Sequence, residues 1–318
     1  MKKVLITGAS GFVGGYLAEH LLSLGDYDIY GTYHSESSKD SSPVKDKIHF
    51  LQLNLMDKEA TKTLIERLQP DEVYHLAAAS SVGASFKDPI TTFHSNVDSE
   101  LSLFESLKEA QLFDTKVLLV SSAEVYGYVT PEDLPVDEST PLRPASPYSV
   151  SKIAQDFLGF QYNLSYKLPI IRVRPFNHVG PRQATGFVVS DFAKQIAEIE
   201  KGILQPVIKV GNLEAKRDFT DVRDMVKAYP LLLEKGKSGE VYNIGSGTSH
   251  KIQEILDILI GNSSMEITVE VDPHKLRPSD VAEIVADSQK MKQITGWTPE
   301  IPFEKTIKDT LDYWRNIV

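Results

Sequence analysis

Cysteine is missing from all 318 residues. The chain therefore has no disulfide and no thiolate metal ligand, a composition suited to a reducing compartment. Long apolar runs are missing too. No stretch approaches the roughly 18 residues that mark a membrane-spanning helix. The opening MKKVLITG imitates a secretion signal with its two lysines. Its apolar run stops at Thr7 and Gly8, short of an h-region of about 7–15 residues. Basic charge is in deficit: 34 Lys and Arg stand against 44 Asp and Glu, a formal net charge of −10. Such a field repels phosphate backbones, which argues against nucleic acid as a partner. It leaves room for a small anionic ligand, which responds to local arginines. The 8 histidines (His20, His34, His49, His75, His94, His178, His250 and His274) do not fall at metal-ligand spacing, so no metal is expected. These absences predict a soluble, cytoplasmic protein.

What is present is a rhythm. KKVLIT predicts a strand, FVGGYLAEHLLSL a helix, YDIYGTY and IHFLQLNL strands, and EATKTLIERL a helix. EVYHLAA, KVLLVSS, LPIIRVRP and EVYNIG predict further strands. This alternation predicts an α/β fold with a doubly wound, Rossmann-type parallel sheet. The Ser-, Lys- and Asp-rich segment 35–47 reads as a mobile surface loop. The chain is long for one core, and its rhythm changes after Pro175. Residues 1–175, with 221–246 returning to them, are expected to form the larger domain. Residues 176–220 and 247–318 are expected to form a smaller lobe, with helices at VSDFAKQIAEIEKG and TIKDTLDYWRNIV.

TGASGFVGGYL places Gly8, Gly11 and Gly14 between the first strand and the first helix. Glycine there permits a tight turn and close backbone approach. The helix N-terminus offers N–H groups and partial positive charge to a pyrophosphate. Bare strand–helix turns also use glycine, but this position in an α/β chain favours a dinucleotide in the larger domain. Further on, SPYSVSK sets Tyr148 and Lys152 four apart, on one helix face. Tyrosine at its ordinary pKa of about 10 is a poor acid–base group near neutrality. A neighbouring ammonium is expected to pull it down. An ordinary surface helix can carry the same pair. SSAEVYG upstream and the glycine loop turn the reading toward catalysis.

The G-x-x-G-x-x-G spacing and YSVSK are joined by HLAAASSV (75–82), NVD (96–98), SSAEVYG (121–127), RPFNHVGPR (174–182) and RDF (217–219). Over nearly the whole chain these motifs resemble the extended short-chain dehydrogenase/reductase family of nucleotide-sugar enzymes. The resemblance implies NAD or NADP held by Gly8, Gly11, Phe12, Val13, Gly14, Leu55, Leu76, Ala77 and Ala78, together with Tyr148 and Lys152. Tyr33 and His34 stand where the family places an acid for NAD or an arginine for NADP, and Asn54 replaces an adenine-contacting Asp. Both cofactors stay open. The resemblance also implies a catalytic group of Ser122, Glu124, Tyr148 and Lys152. Tyr148 would exchange a proton with the sugar, Ser122 would hold the same oxygen, and Lys152 would hold the nicotinamide ribose.

On the substrate side the resemblance implies Ser80, Asn177, Arg182, Val188, Lys194, Arg217, Arg277 and Asp280. Arg217 and Arg277 would grip a diphosphate with bidentate forks. GNLEAKRDF (211–219), FVVSDFAKQI and RPSD resemble the GDP-mannose 4,6-dehydratase branch and its sister GDP-4-keto-6-deoxy-mannose reductases, implying a GDP-sugar substrate for the smaller lobe. Family members pair through the helix after NVD and the helix of YSVSK. A homodimer is therefore expected, with Leu101, Phe104, Leu107, Phe157 and Leu158 as candidate contacts, some of them facing the sheet instead.

SSAEVYG bears on the choice between the sisters. A dehydratase takes a proton from sugar C5 with the glutamate that Glu124 matches. Dehydratases carry Asp or Ser just before it, whereas Ala123 has no proton to give. The reductases keep the glutamate but deliver hydride to a C4 ketone while the tyrosine supplies the proton. The chain is also short for a dehydratase and lacks that branch's paired arginines after the second strand. The expectation is NAD(P)H-dependent reduction of GDP-4-keto-6-deoxy-D-mannose to a GDP-6-deoxyhexose of the GDP-D-rhamnose type. GDP-mannose 4,6-dehydratase, a nucleotide-sugar 4-epimerase and a non-catalytic dinucleotide-binding sensor remain alternatives. Sensors of this fold typically lose the Tyr or the Lys, and both are present.

Overall fold

The computed structural model describes residues 1–275 and 281–318. Seven parallel strands form the large sheet: β1 (Lys2–Thr7), β2 (Tyr27–Tyr33), β3 (His49–Gln52), β4 (Glu72–His75), β5 (Lys116–Val120), β6 (Ile170–Pro175) and β10 (Val241–Ile244). Their order is β10-β6-β5-β4-β1-β2-β3. Central parallel strands are covered on both faces, so they carry unbroken apolar runs. Val4, Leu5 and Ile6 of β1 and Val117, Leu118 and Leu119 of β5 are all buried. The order reverses between β1 and β4, which opens a crevice beyond their C-terminal ends.

Helices cover both faces. On one side lie α1 (Phe12–Leu24) and α8 (Val222–Lys235), whose apolar residues share a core with the sheet. Met291 of α10 (Gln289–Thr295) and Trp297 join that core from late in the chain. On the other side lie α3 (Lys58–Leu68), α5 (Pro89–Glu109), which the short α4 (Val82–Lys87) precedes, and α6 (Pro147–Tyr166). Segment 35–47 differs from its surface-loop expectation. It carries α2 (Glu36–Asp40), and Val44 is buried in the core shared with α1. A single valine in a polar run has no periodicity, so its anchoring role left no pattern to read.

A second sheet is organised around β9 (Lys216–Asp221). It pairs with β7 (Asn177–Val179), β11 (Ser249–Lys251) and β13 (Glu283–Ile284). β8 (Val207–Val210) pairs with β12 (Thr268–Val271). Phe192 and Ile196 of α7 (Val188–Glu200), Leu256 and Leu259 of α9 (Ile252–Gly261), and Ile307 and Leu311 of α11 (Phe303–Ile317) pack into one core beside this sheet.

Two of the candidate contact residues face inward: Phe104 and Leu107 are buried against the large sheet. Leu101 and Leu158 are partly buried against the same core. Phe157 is 53% exposed, and Val150, Phe160 and Leu164 of α6 are exposed with it.

Candidate active site

The first strand exit is made of backbone. Gly8 has φ +72, and a Cβ there would lie 3.1 Å from the Ala77 Cα. A Cβ on Gly14 would lie 2.3 Å from the Gly8 carbonyl oxygen. Both positions therefore require glycine, one for its left-handed conformation and both for close approach. Gly11 caps α1 without a side chain, and the first turn carries no acid. The N–H groups and positive end of α1 are left for an anion, the arrangement that suits a dinucleotide pyrophosphate.

The opposite wall is pinned to this loop. Thr7 Oγ1 accepts from the Leu76 and Ala77 N–H groups at 3.1 and 3.2 Å and lies 2.9 Å from His75 Nδ1. Half-buried Leu76, Ala77 and Ala78 therefore stand across the crevice from Gly8, Gly11, Phe12, Val13 and Gly14. At the exit of β2 the Tyr33 hydroxyl donates to Glu36 at 2.7 Å, and the Lys39 ammonium lies 5.3 Å from its ring centre. His34 and Asn54 are exposed, and Leu55 is buried.

The expected catalytic pair is set by the start of α6. Ser146 accepts from the Ser149 N–H at 3.1 Å, and Pro147 opens the helix. Cap and proline fix where α6 begins, and so where Tyr148 and Lys152 project. Lys152 Nζ donates to the Val120 carbonyl and to Gln155 Oε1, each at 2.6 Å. Ser122, two residues beyond β5, lies close enough to act on the Tyr148 phenol, and its Oγ accepts from the Glu124 N–H at 3.1 Å. Ser122, Glu124 and Tyr148 are thus brought together, with Lys152 one turn along the helix.

The electrostatics of the protein alone differ from the lowering expected of a neighbouring ammonium. Burial pushes the Tyr148 phenol up to about 12; the Ser122 hydrogen bond opposes this and the Glu124 charge reinforces it. Lys152 is not among the groups that shift the phenol, and its donors go to Val120 and Gln155. Burial lowers Lys152 itself to about 8, while Glu100 and Asp156 hold it up. Ala123 is buried in a small apolar cluster with Val125, Tyr126, Val136 and Phe176. Glu124 beside it is half-buried.

The expected substrate residues are more dispersed. Asn177 opens β7, in register with Phe219 of β9. Arg217, half-buried on β9, donates to the Lys216 and Val281 carbonyls at 2.8 and 2.7 Å. Arg182 commits its fork to Glu19 of α1 at 2.9 and 2.7 Å and lies 3.5 Å from the centre of the Tyr16 ring. Lys194 pairs with Glu198 on its own helix at 2.6 Å. Val188 starts α7, and Ser80 is exposed after β4. Arg277 and Asp280 lie outside the described residues.

Two buried acids were missed. Asp218 accepts N–H bonds from Ser246, Gly247 and Ala286 at 2.8, 2.9 and 3.1 Å, tying three segments together. Its signal was an acid in an otherwise inward-facing strand. Glu100 is buried on α5 and its charge acts on Lys152; its helical context gave no signal.

The phosphate loop and the Ser–Tyr–Lys group arrive on separate strands and meet at one edge of a parallel sheet. That meeting marks an extended short-chain dehydrogenase/reductase. Residues 5–310 match the GDP-mannose 4,6 dehydratase family, and the chain belongs to it. It is 32% identical over 317 residues to a GDP-6-deoxy-D-mannose reductase of Pseudomonas aeruginosa, covering 100% of this chain and 98% of that protein. It is 31% identical to GDP-mannose 4,6 dehydratase 2 of Arabidopsis thaliana, covering 98% and 86%. Among solved structures, RMD from Pseudomonas aeruginosa complexed with NADPH superposes with a TM-score of 0.85, at 30% identity and full coverage of both chains. A Thermus thermophilus UDP-glucose 4-epimerase complex with NAD superposes with a TM-score of 0.87, at 29% identity, covering 99% and 100%.

Proposed function

We propose that the protein is an NAD(P)H-dependent nucleotide-sugar oxidoreductase that reduces the C4 ketone of GDP-4-keto-6-deoxy-D-mannose to a GDP-6-deoxyhexose. The carrying observation is the pairing of a protonated Tyr148 with a buried Ala123. Reduction needs an acid at the ketone oxygen, and a phenol pushed up to about 12 keeps its proton at neutral pH. Elimination of water needs a proton donor at the residue before the glutamate, and alanine has none. The bound cofactor supplies the hydride. Tyr148 gives its proton to the incipient alkoxide, Ser122 hydrogen-bonds the same oxygen, and Lys152 binds the nicotinamide ribose through its ammonium.

Residues 1–175 and 221–246 serve as the dinucleotide-binding domain in this reading, and 176–220 and 247–318 mainly as the sugar-nucleotide lobe. Arg217 and Arg277 neutralise the diphosphate, and Asn177 contacts it. The exposed side chains Val150, Phe157, Phe160 and Leu164 along α6 support a homodimer formed through that helix. Among the described residues no helix is long and apolar enough to cross a membrane. Together with the absence of cysteine this supports a cytoplasmic location.

One observation favours the dehydratase as a second reading: Glu124 lies close enough to Tyr148 to act on its phenol. The two part in a single assay. Consumption of NADPH or NADH that depends on the 4-keto sugar is expected. Loss of GDP-mannose without added reductant would establish the dehydratase instead.

A further inference from the structure

Helices α5 and α6 meet beneath the catalytic pair, and the contact is polar. Asn96 Nδ2 donates to Ser151 Oγ at 2.9 Å, and Gln155 Nε2 donates to the Asn96 carbonyl at 2.9 Å. The Gln155 carbonyl oxygen receives the Lys152 ammonium at 2.6 Å. Glu100 lies one helical turn beyond Asn96. It is fully buried, and neither carboxyl oxygen has a hydrogen-bond partner among the described residues. A carboxyl so placed costs stability that an apolar side chain would not.

The charges around Glu100 explain its presence. From α6, Lys152 and Asp156 act on it, and it acts on Tyr162 further along. Asp156 is already engaged by Arg172 at 2.6 Å and Arg174 at 2.8 Å, both on β6. On β4, His75 feels Lys152 and is kept neutral by burial. Lys58 and Lys62 of α3 engage Glu109, near the C-terminal end of α5. Without Glu100, Asp156 alone would balance Lys152 and two arginines.

We propose that Glu100 is a positioning residue for Lys152, a buried counter-charge that keeps the neighbouring ammonium charged as the medium becomes alkaline. This rests on the reading of Lys152 as part of the catalytic group. Burial holds the Glu100 carboxyl well above the ordinary carboxylate range, and the Lys152 charge opposes this. Lys152 already has two acceptors for its ammonium, Val120 and Gln155. The Glu100 carboxylate favours the proton on Lys152, as Asp156 does.

The test is kcat against pH for the parent, Glu100→Gln and Glu100→Leu, with the 4-keto GDP-sugar and NADPH, beside thermal unfolding. Both variants should stay within about threefold of the parent at about pH 7 and lose about tenfold at about pH 9. Their melting temperature should equal or exceed the parent's, because an unpartnered buried carboxyl has been removed. Glu100→Asp should restore part of the alkaline activity. A pH profile parallel to the parent's, or a uniform loss of kcat with a lowered melting temperature, would overturn the proposal. Failure of both variants to fold would do so too. Tyr148→Phe in the same assay separates the layers. If that variant turns over normally, the catalytic reading itself fails. If it is inactive while the Glu100 variants track the parent, only the counter-charge fails.

Discussion

The crevice beyond β1 and the side-chain cluster beyond β5 are made of different materials. At β1 the working parts are backbone: Gly8 and Gly14 leave no room for a Cβ, and the anion site is a row of N–H groups. At β5 the proposed parts are functional groups: the Ser122 hydroxyl after the strand, and the Tyr148 phenol and Lys152 ammonium on a capped helix. The first region is fragile to added atoms of any kind. The second tolerates changes of volume better than the loss of a single proton donor.

The most damaging way to probe that contrast is Tyr148→Phe. Turnover should fall by roughly 10²–10⁴-fold, while fluorescence titration shows cofactor affinity within about threefold of the parent, since no anion contact is lost. An equal fall in cofactor affinity would mean the two regions are not separable. Gly14→Val should do the opposite. Its side chain meets the Gly8 carbonyl, so the cofactor should no longer raise the melting temperature. A cost of about 1–3 kcal/mol, or roughly tenfold to a hundredfold in affinity, is expected. Tight cofactor binding by this variant would break the backbone argument.

Arg217→Ala sharpens the contrast from the substrate side. Losing a charge-assisted contact should weaken GDP binding by roughly tenfold to a hundredfold in calorimetry, with cofactor affinity unchanged. Unaltered GDP affinity would remove Arg217 from the site. Glu124→Gln should have the smallest effect, keeping ketone reduction within about threefold, because the amide preserves shape and reduction takes no proton from C5. Near-complete loss of activity would give that carboxylate a direct chemical task.

Much of this was legible because it is local. Tyr148 and Lys152 share a face through helical spacing, and Gly8, Gly11 and Gly14 follow the first strand directly, so sequence distance stands in for spatial distance. The first two strands and the first helix fall at the expected residues, since buried parallel strands announce themselves as apolar runs. What the sequence left open was whatever depended on a face. Phe104 and Leu107 turn toward the sheet, as some of the candidate contacts were expected to, while Phe157 is exposed on α6. Glu100 and Asp156 carry no mark of burial in the sequence, since acids on amphipathic helices are usually solvated. Burial becomes evident only when α5 and α6 pack together. Arg182, expected on the substrate side, also pairs with Glu19, more than 160 residues earlier. No spacing rule reaches that far.

The clamp between β1 and β4 also fixes where one proton resides. Thr7 Oγ1 receives two amide donors, which occupy its lone pairs, so its own hydrogen is directed to His75 Nδ1. The imidazole, held neutral by burial with its pKa lowered to about 3, must then be the Nε2–H tautomer. Donation runs one way, from the two amides through the hydroxyl to the ring. His75 is thus a fixed dipole in the wall of the crevice and has no proton to trade with the sugar.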